Sequence, residues 1–248
     1  MIERSQLFFL KEPDPNDKLR IFCLPYAGGG ASAYRNWGTY FPNDIGVYPI
    51  QIPGRENRIT EKALTDMDEL VNGIVNAMLP YLGVKVLIFG HSLGAKISYE
   101  VCNRLREKWD ITPSHLIVSG SRAPHIPEPE PLHHLTDADF IEAMKRYSGM
   151  SPEFLENKEL LKLFLPIFRA DFILDETYKF SKYEKFRFPI TALYGDLDQD
   201  SEVETVEAWG EYTSVLFNKK VFHGEHFFIK TAEKEVLNYI KDIALQHV

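Results

Sequence analysis

Cysteine is scarce: the 248-residue chain holds only Cys23 and Cys102, one in a predicted strand and one in a predicted helix. Their placement fits neither a disulfide framework nor a metal site, which leaves two buried, reduced thiols as the expectation. Long apolar runs are missing as well, and none approaches the roughly 20 residues that a membrane-spanning helix needs. Met1-Ile2-Glu3-Arg4-Ser5 lacks the pattern of a secretory signal, so a cytoplasmic protein with no membrane partner is expected. Positive charge is in deficit, with 28 Lys and Arg against 36 Asp and Glu and a net charge of −8. That balance argues against nucleic acid or an anionic membrane as the main partner. Internal repeats and low-complexity segments are also lacking.

What is present is a composition of 44% hydrophobic and 26% charged residues, ordinary for a globular protein, in a chain long enough for a full core. Apolar runs at 19–24, 45–52, 84–89, 115–119, 188–194 and 215–222 read as strands. Helical patterns at 33–40, 66–82, 95–108, 202–212 and 233–245 alternate with them. Continuous apolar strands alternating with helices predict one α/β domain over 1–248, with a mostly parallel sheet covered on both faces. The alternation breaks over 123–187. A proline-rich link (Pro124, Pro127, Pro129, Pro131) leads to a helix near Thr136, with Asp137 and Asp139 in its first turn, and then to helical patterns over 154–174. Met144, Tyr147, Met150, Phe154, Leu161, Phe164, Leu165, Phe168 and Phe172 make this insertion apolar. It reads either as plain helical packing or as a lid over an active site, and its place between the catalytic strands favours a lid.

The stretch Val86-Leu87-Ile88-Phe89-Gly90-His91-Ser92-Leu93-Gly94 joins a strand to a helix through a very short turn. A bend that sharp forces Ser92 into a strained conformation, and side chains two residues to either side would collide, hence the glycines. The hydroxyl is thereby lifted clear of the backbone, beside the positive end of the next helix. This is the setting of a nucleophile elbow.

A serine hydroxyl needs a base, and the base needs an orienting acid. His226 follows the last predicted strand and is the candidate base, with Phe227 and Phe228 available to hold its ring; His223 is the rival, more suited to a structural or exposed role. Asp198 is the candidate acid, while Asp196 and Asp200 share its loop and stay open as alternatives. The loop after the first strand brings the N–H of Ala27 to pair with that of Leu93 as oxyanion donors. Gly28-Gly29-Gly30-Ala31-Ser32-Ala33 also satisfies G-x-G-x-x-A, a dinucleotide-binding pattern. That reading wants an acidic residue after the second strand, where this chain has Gln51 and then Pro53-Gly54-Arg55.

Several further stretches occur together: Phe22-Cys23-Leu24-Pro25-Tyr26-Ala27-Gly28-Gly29, Gln51-Ile52-Pro53-Gly54-Arg55-Glu56-Asn57-Arg58, Phe168-Arg169-Ala170-Asp171-Phe172 and Gly224-Glu225-His226-Phe227-Phe228. With the elbow, they make the chain resemble, over nearly its whole length, the type II thioesterases of nonribosomal peptide and polyketide synthases, a branch of the α/β-hydrolases. The resemblance implies an α/β-hydrolase fold whose helical insertion is a mobile lid, a triad on Ser92, Asp198 and His226, and oxyanion donors on Ala27 and Leu93. It implies an enzyme with no metal and no cofactor of its own, hydrolysing aberrant or stalled acyl groups from the phosphopantetheine of carrier proteins, with small acyl thioesters as further substrates. A monomer is expected.

Lys96 departs from the family pattern, where an apolar residue is usual, and is expected to point to solvent. Arg55, Glu56, Arg58 and Asp171 match family motifs without a chemical role, and a buried ion pair between loops is the expectation for them. Lys179, Lys182, Lys185 and Arg187 form a basic cluster diluted by Glu184, better read as a solvated face than as a carrier-docking site. Carboxylester hydrolysis or acyl transfer uses the same triad, and a catalytically inactive hydrolase fold used for binding is the alternative from outside enzymology.

Overall fold

A computed structural model describes residues 8–144, 157–181 and 183–248. Six strands, β1 (Leu19–Leu24), β2 (Ile45–Pro49), β3 (Lys85–His91), β4 (His115–Ser119), β5 (Ile190–Gly195) and β6 (Phe217–Phe222), form one sheet in the order β2-β1-β3-β4-β5-β6. Every pairing is parallel. A parallel sheet needs crossovers and buries both faces, which explains strands apolar on both sides. In β1, Phe22 and Leu24 pack toward one core cluster, while Leu19, Ile21 and Cys23 face the other. Cys23 and Cys102 are both buried free thiols, and burial raises the pKa of each.

Helices α1 (Met67–Met78) and α2 (Leu93–Trp109) contribute Leu70, Ile74, Ile97, Val101 and Leu105 to the first cluster. On the opposite face, α7 (Glu233–Leu245) contributes Val236, Leu237 and Ile240, together with Tyr34 and Trp37. In addition, α3 (Asp137–Met144) and α4 (Lys158–Glu176) pack Phe140, Met144, Phe168 and Phe172 into a third, smaller cluster. Two short helices, α5 (Val203–Glu207) and α6 (Phe228–Thr231), complete the set described. Asp66 caps α1 by accepting from Glu69 N at 2.8 Å, and Asn157 caps α4 by accepting from the N–H groups of Glu159 and Leu160. Among the described residues, no helix is long and apolar enough to cross a membrane.

Several predicted boundaries shift for local reasons. The helix expected over 33–40 is instead two 3₁₀ turns, Ala31–Tyr34 and Trp37–Tyr40, in a stretch of aromatic residues, Asn36 and Gly38 that propagate a helix poorly. The helix expected over 66–82 ends at Met78 and continues as a 3₁₀ turn, Leu79–Tyr81, because Pro80 has no N–H to give the ladder. The one expected over 202–212 also passes into a 3₁₀ turn, Ala208–Tyr212, here without a proline and around Gly210. The second strand ends at Pro49: Ile50 N still donates to Cys23 O at 2.9 Å, but Gln51 N turns to Phe8 O at 2.8 Å.

The strand order decides where a site forms. From β1 the chain passes to β2 on one side, and the next strand, β3, lies on the other. The loops after β1 and β3 therefore diverge, opening a crevice at the carboxyl ends of those strands.

Candidate active site

Ser92 occupies the turn between β3 and α2 with φ +54° and ψ −123°. A Cβ on Gly90 would run into the Gly94 carbonyl, and one on Gly94 into the Leu24 carbonyl at the end of β1. Both glycines of the pentapeptide thus have a steric cause, the second of them in the neighbouring strand. Ser92 N donates to Ser119 O at 2.8 Å, tying the bend to β4.

His226 Nδ1 lies 3.0 Å from Asp198 Oδ2, and both side chains are almost fully buried. Asp198 also accepts from Asp200 N at 3.0 Å and from the Ser201 hydroxyl. Burial works against charge on both groups, but their mutual hydrogen bond and attraction prevail. The His226 pKa therefore stands above its usual value and that of Asp198 below its own. The rival residues form a separate, exposed pair, in which Asp196 accepts from Gly224 N at 2.9 Å and lies 3.0 Å from His223. Asp198, Asp200 and His226 bring possible metal-ligand atoms within 4.8 Å of one another. Two of those three donors are already engaged with each other across the Asp198–His226 hydrogen bond.

Ser92 and His226 open onto one cleft of about 470 Å³, which is also lined by Ala27, Leu93 and, from one face of α4, Phe164, Phe168 and Phe172. Ser92, His226, Ala27 and Leu93 therefore meet at one cavity, and Asp198 stands behind His226. Leu93 is the first residue of α2, where an N–H has no partner within the helix. Of the other apolar residues expected in the insertion, Met144 is buried in the third cluster with Phe168 and Phe172. Tyr147, Met150 and Phe154 lie outside the described residues.

The loop after β1 is gripped through its amides. Gly28 N donates to Asp171 Oδ2 at 2.6 Å, Ala31 N to Gln51 Oε1 at 2.9 Å, and Ser32 N to Glu56. Arg55 makes a two-pronged pair with Asp171, at 2.6 and 2.7 Å, and both side chains are buried. Arg55 and Asp171 form a buried pair as expected, but between a loop and α4 rather than between two loops, whereas Arg58 pairs locally with Glu61.

Lys96 corrects the expectation that it points to solvent. It is buried, and its ammonium reaches Asp175 Oδ1 at 2.7 Å on α4, because its position on α2 faces that helix. Sequence reasoning also missed three side chains at the site. Asp175 lines the cleft and continues the row of Phe164, Phe168 and Phe172 at helical spacing, a periodicity that could have revealed it. Lys230 lies over the Tyr26 and Phe227 rings at 4.9 and 4.5 Å. The His91 ring lies tilted against that of His226, with centroids 5.1 Å apart; burial first, then the His226 charge, keep it neutral, so it adds no competing cation. Phe227 packs edge-on to His226, whereas Phe228 turns into the core against Phe222. Lys179, Lys185 and Arg187 are exposed, and Lys182 lies outside the described residues.

A parallel sheet with a glycine-flanked serine in the turn after β3, and a His–Asp pair on the loops after β5 and β6, is the arrangement of the α/β-hydrolases. Residues 19–244 match the thioesterase domain model, and the chain belongs to the thioesterase family. Linear gramicidin dehydrogenase LgrE of Brevibacillus parabrevis is 39% identical over 225 residues, covering 89% of this chain and 86% of LgrE. RedJ, a thioesterase from the prodiginine biosynthetic pathway of Streptomyces coelicolor, superimposes with a TM-score of 0.88 at 33% identity, covering 94% of this chain and 93% of RedJ. YbtT, the type II thioesterase of the yersiniabactin NRPS/PKS pathway, gives a TM-score of 0.83 at 31% identity and 96% coverage of both chains.

Proposed function

We propose that this enzyme hydrolyses acyl groups from the phosphopantetheine thioesters of carrier proteins, clearing misprimed or stalled nonribosomal peptide or polyketide synthases. The observation that carries this reading is the buried Asp198–His226 pair at the wall of a cleft shared with Ser92, in a chain resembling a type II thioesterase along 96% of its length.

His226 takes the Ser92 proton as Oγ attacks the thioester carbonyl. Asp198 steadies the imidazolium, and the Ala27 and Leu93 N–H groups receive the negative oxygen. The leaving thiol, with a pKa of about 8.5, departs readily as thiolate and asks less of His226 than an alcohol would. Water activated by His226 then attacks the acyl-serine and releases the acid, restoring Ser92.

The segment 123–187 acts as a lid in this reading, supported by the phenylalanine row that α4 turns to the cleft. The chain works as a cytoplasmic monomer with no cofactor of its own, since the acyl group arrives already activated on the carrier. One relative's name raises a dehydrogenase. Against it, the Gly28–Ala33 loop directs amides to the carboxylates of Asp171 and Glu56, where a pyrophosphate would be repelled, and leads into a single 3₁₀ turn.

The test presents one acyl chain as an oxygen ester, a free thioester and a carrier-bound thioester. The expected order of kcat/KM is carrier-bound thioester, then free thioester, then ester. A preference for the oxygen ester would make this chain a carboxylester hydrolase instead.

A further inference from the structure

The residues Tyr26 to Gly29 form a closed turn, with Gly29 N donating to Tyr26 O at 2.9 Å. Gly28, third in the turn, has φ +74°, which marks a type II turn. Types I and II differ by a flip of the middle peptide, here Ala27–Gly28. In the form observed, its N–H points at α4, where Asp171 Oδ2 accepts it at 2.6 Å. Arg55 holds both oxygens of that carboxylate and also donates to Gly29 O at 3.1 Å. Gln51 Nε2 in turn donates to Arg55 O at 3.0 Å, fixing the arginine's own backbone. The ion pair thus grips the Ala27–Gly28 and Gly29–Gly30 peptides, next to the residue assigned as oxyanion donor.

Stability does not account for such a pair. Charges at 3% and 0% side-chain exposure have lost their hydration, and well-packed apolar side chains commonly replace buried pairs without loss of stability. What an apolar pair cannot do is accept the Gly28 N–H and so hold the middle peptide in one orientation.

We infer that Asp171, fixed by Arg55, is the positioning residue of the oxyanion turn: by accepting the Gly28 N–H it anchors the Tyr26–Gly29 turn to α4, and so holds the Ala27 N–H, carried on the preceding Tyr26–Ala27 peptide, toward the oxygen that becomes negative during acyl transfer. This rests on the proposed hydrolase mechanism, in which Ala27 supplies that N–H. The contact lies on α4, whose Phe168 ring covers Gly28 so closely that a Cβ there would collide with it. The helix that shapes the acyl end of the cleft therefore also sets the geometry of the reacting end.

Two variants test the inference, each checked for folding by thermal unfolding. Asp171→Asn keeps a neutral acceptor for Gly28 N–H, so kcat should fall about tenfold with KM within about threefold of wild type. The double change Arg55→Met with Asp171→Leu removes the acceptor, and kcat should fall roughly 10²-fold, the scale of losing one oxyanion donor. Affinity for a trifluoromethyl ketone analogue, which forms the tetrahedral oxyanion, should fall in parallel, while affinity for a non-hydrolysable amide analogue should hold. Wild-type kcat in either folded variant overturns the inference. Failure of both to fold also overturns it, by making the pair a stability element. Ser92→Ala, assayed alongside, separates the two levels: an active Ser92→Ala enzyme defeats the mechanism itself, whereas an inactive one beside fully active pair variants defeats only the positioning role.

Discussion

At Ser92 the backbone is held at φ +54°, where a residue with a side chain pays on the order of 1–3 kcal/mol. That strain and the two flanking glycines were readable from the pentapeptide and its strand-to-helix setting, since each follows from the sharpness of the turn. The choice among Asp196, Asp198 and Asp200 was not, because it depends on which loop position meets a histidine 28 residues further along. In the folded chain Asp196 meets His223 at the surface and Asp198 meets His226 in the interior. Asp198→Asn is therefore expected to lower kcat by roughly 10³–10⁴-fold, as loss of the orienting carboxylate does in other serine triads, while Asp196→Asn leaves it unchanged. The pH profile carries the same assignment. His226 must be neutral to take a proton, and Asp198 raises its pKa, so kcat/KM should climb with pH along a limb centred above 6.5. In Asp198→Asn that limb should move to lower pH.

Between elements, the tie of α2 to α4 rests on Lys96 and Asp175, whose side chains are 6% and 26% exposed. The difference predicts an asymmetry. Asp175→Ala leaves a buried ammonium with only the carbonyl of residue 175, at 3.3 Å, as acceptor and should cost about 3 kcal/mol, whereas Lys96→Met leaves a carboxylate whose side chain is still partly open to water and should cost about 1 kcal/mol or less. Urea unfolding of the two variants measures both. Sequence periodicity located most elements well: β1, β4 and α7 run over the expected residues. It went astray where proline or glycine tightens a helix into 3₁₀ form, as at Pro80, because apolar spacing alone does not distinguish the two. It also misjudged Lys96, since residue type suggested solvent while the facing helix supplied a carboxylate.

Across the whole molecule, the reversal of strand order between β1 and β3 brings the site together. It sets the glycine loop beside the elbow, and the parallel order of β5 and β6 carries Asp198 and His226 to the same edge. The alternation of strands and helices foretold the parallel sheet, and the order of serine, acid and histidine along the chain foretold which loops to inspect. What no local pattern contained was which of the motif charges would pair: the fold joins Arg55 to Asp171 across 116 residues, tying the loop after β2 to α4 behind the turn that follows β1.

The account turns on Ser92 becoming acylated. Rapid quenching of the enzyme with an acyl thioester, followed by intact-protein and peptide mass spectrometry, measures this directly. An acyl adduct should accumulate on the peptide containing Ser92 within the first turnover, persist longer in His226→Ala if it forms there at all, and be absent in Ser92→Ala. Full-rate hydrolysis with no adduct in wild type, or undiminished turnover by Ser92→Ala, would contradict the mechanism.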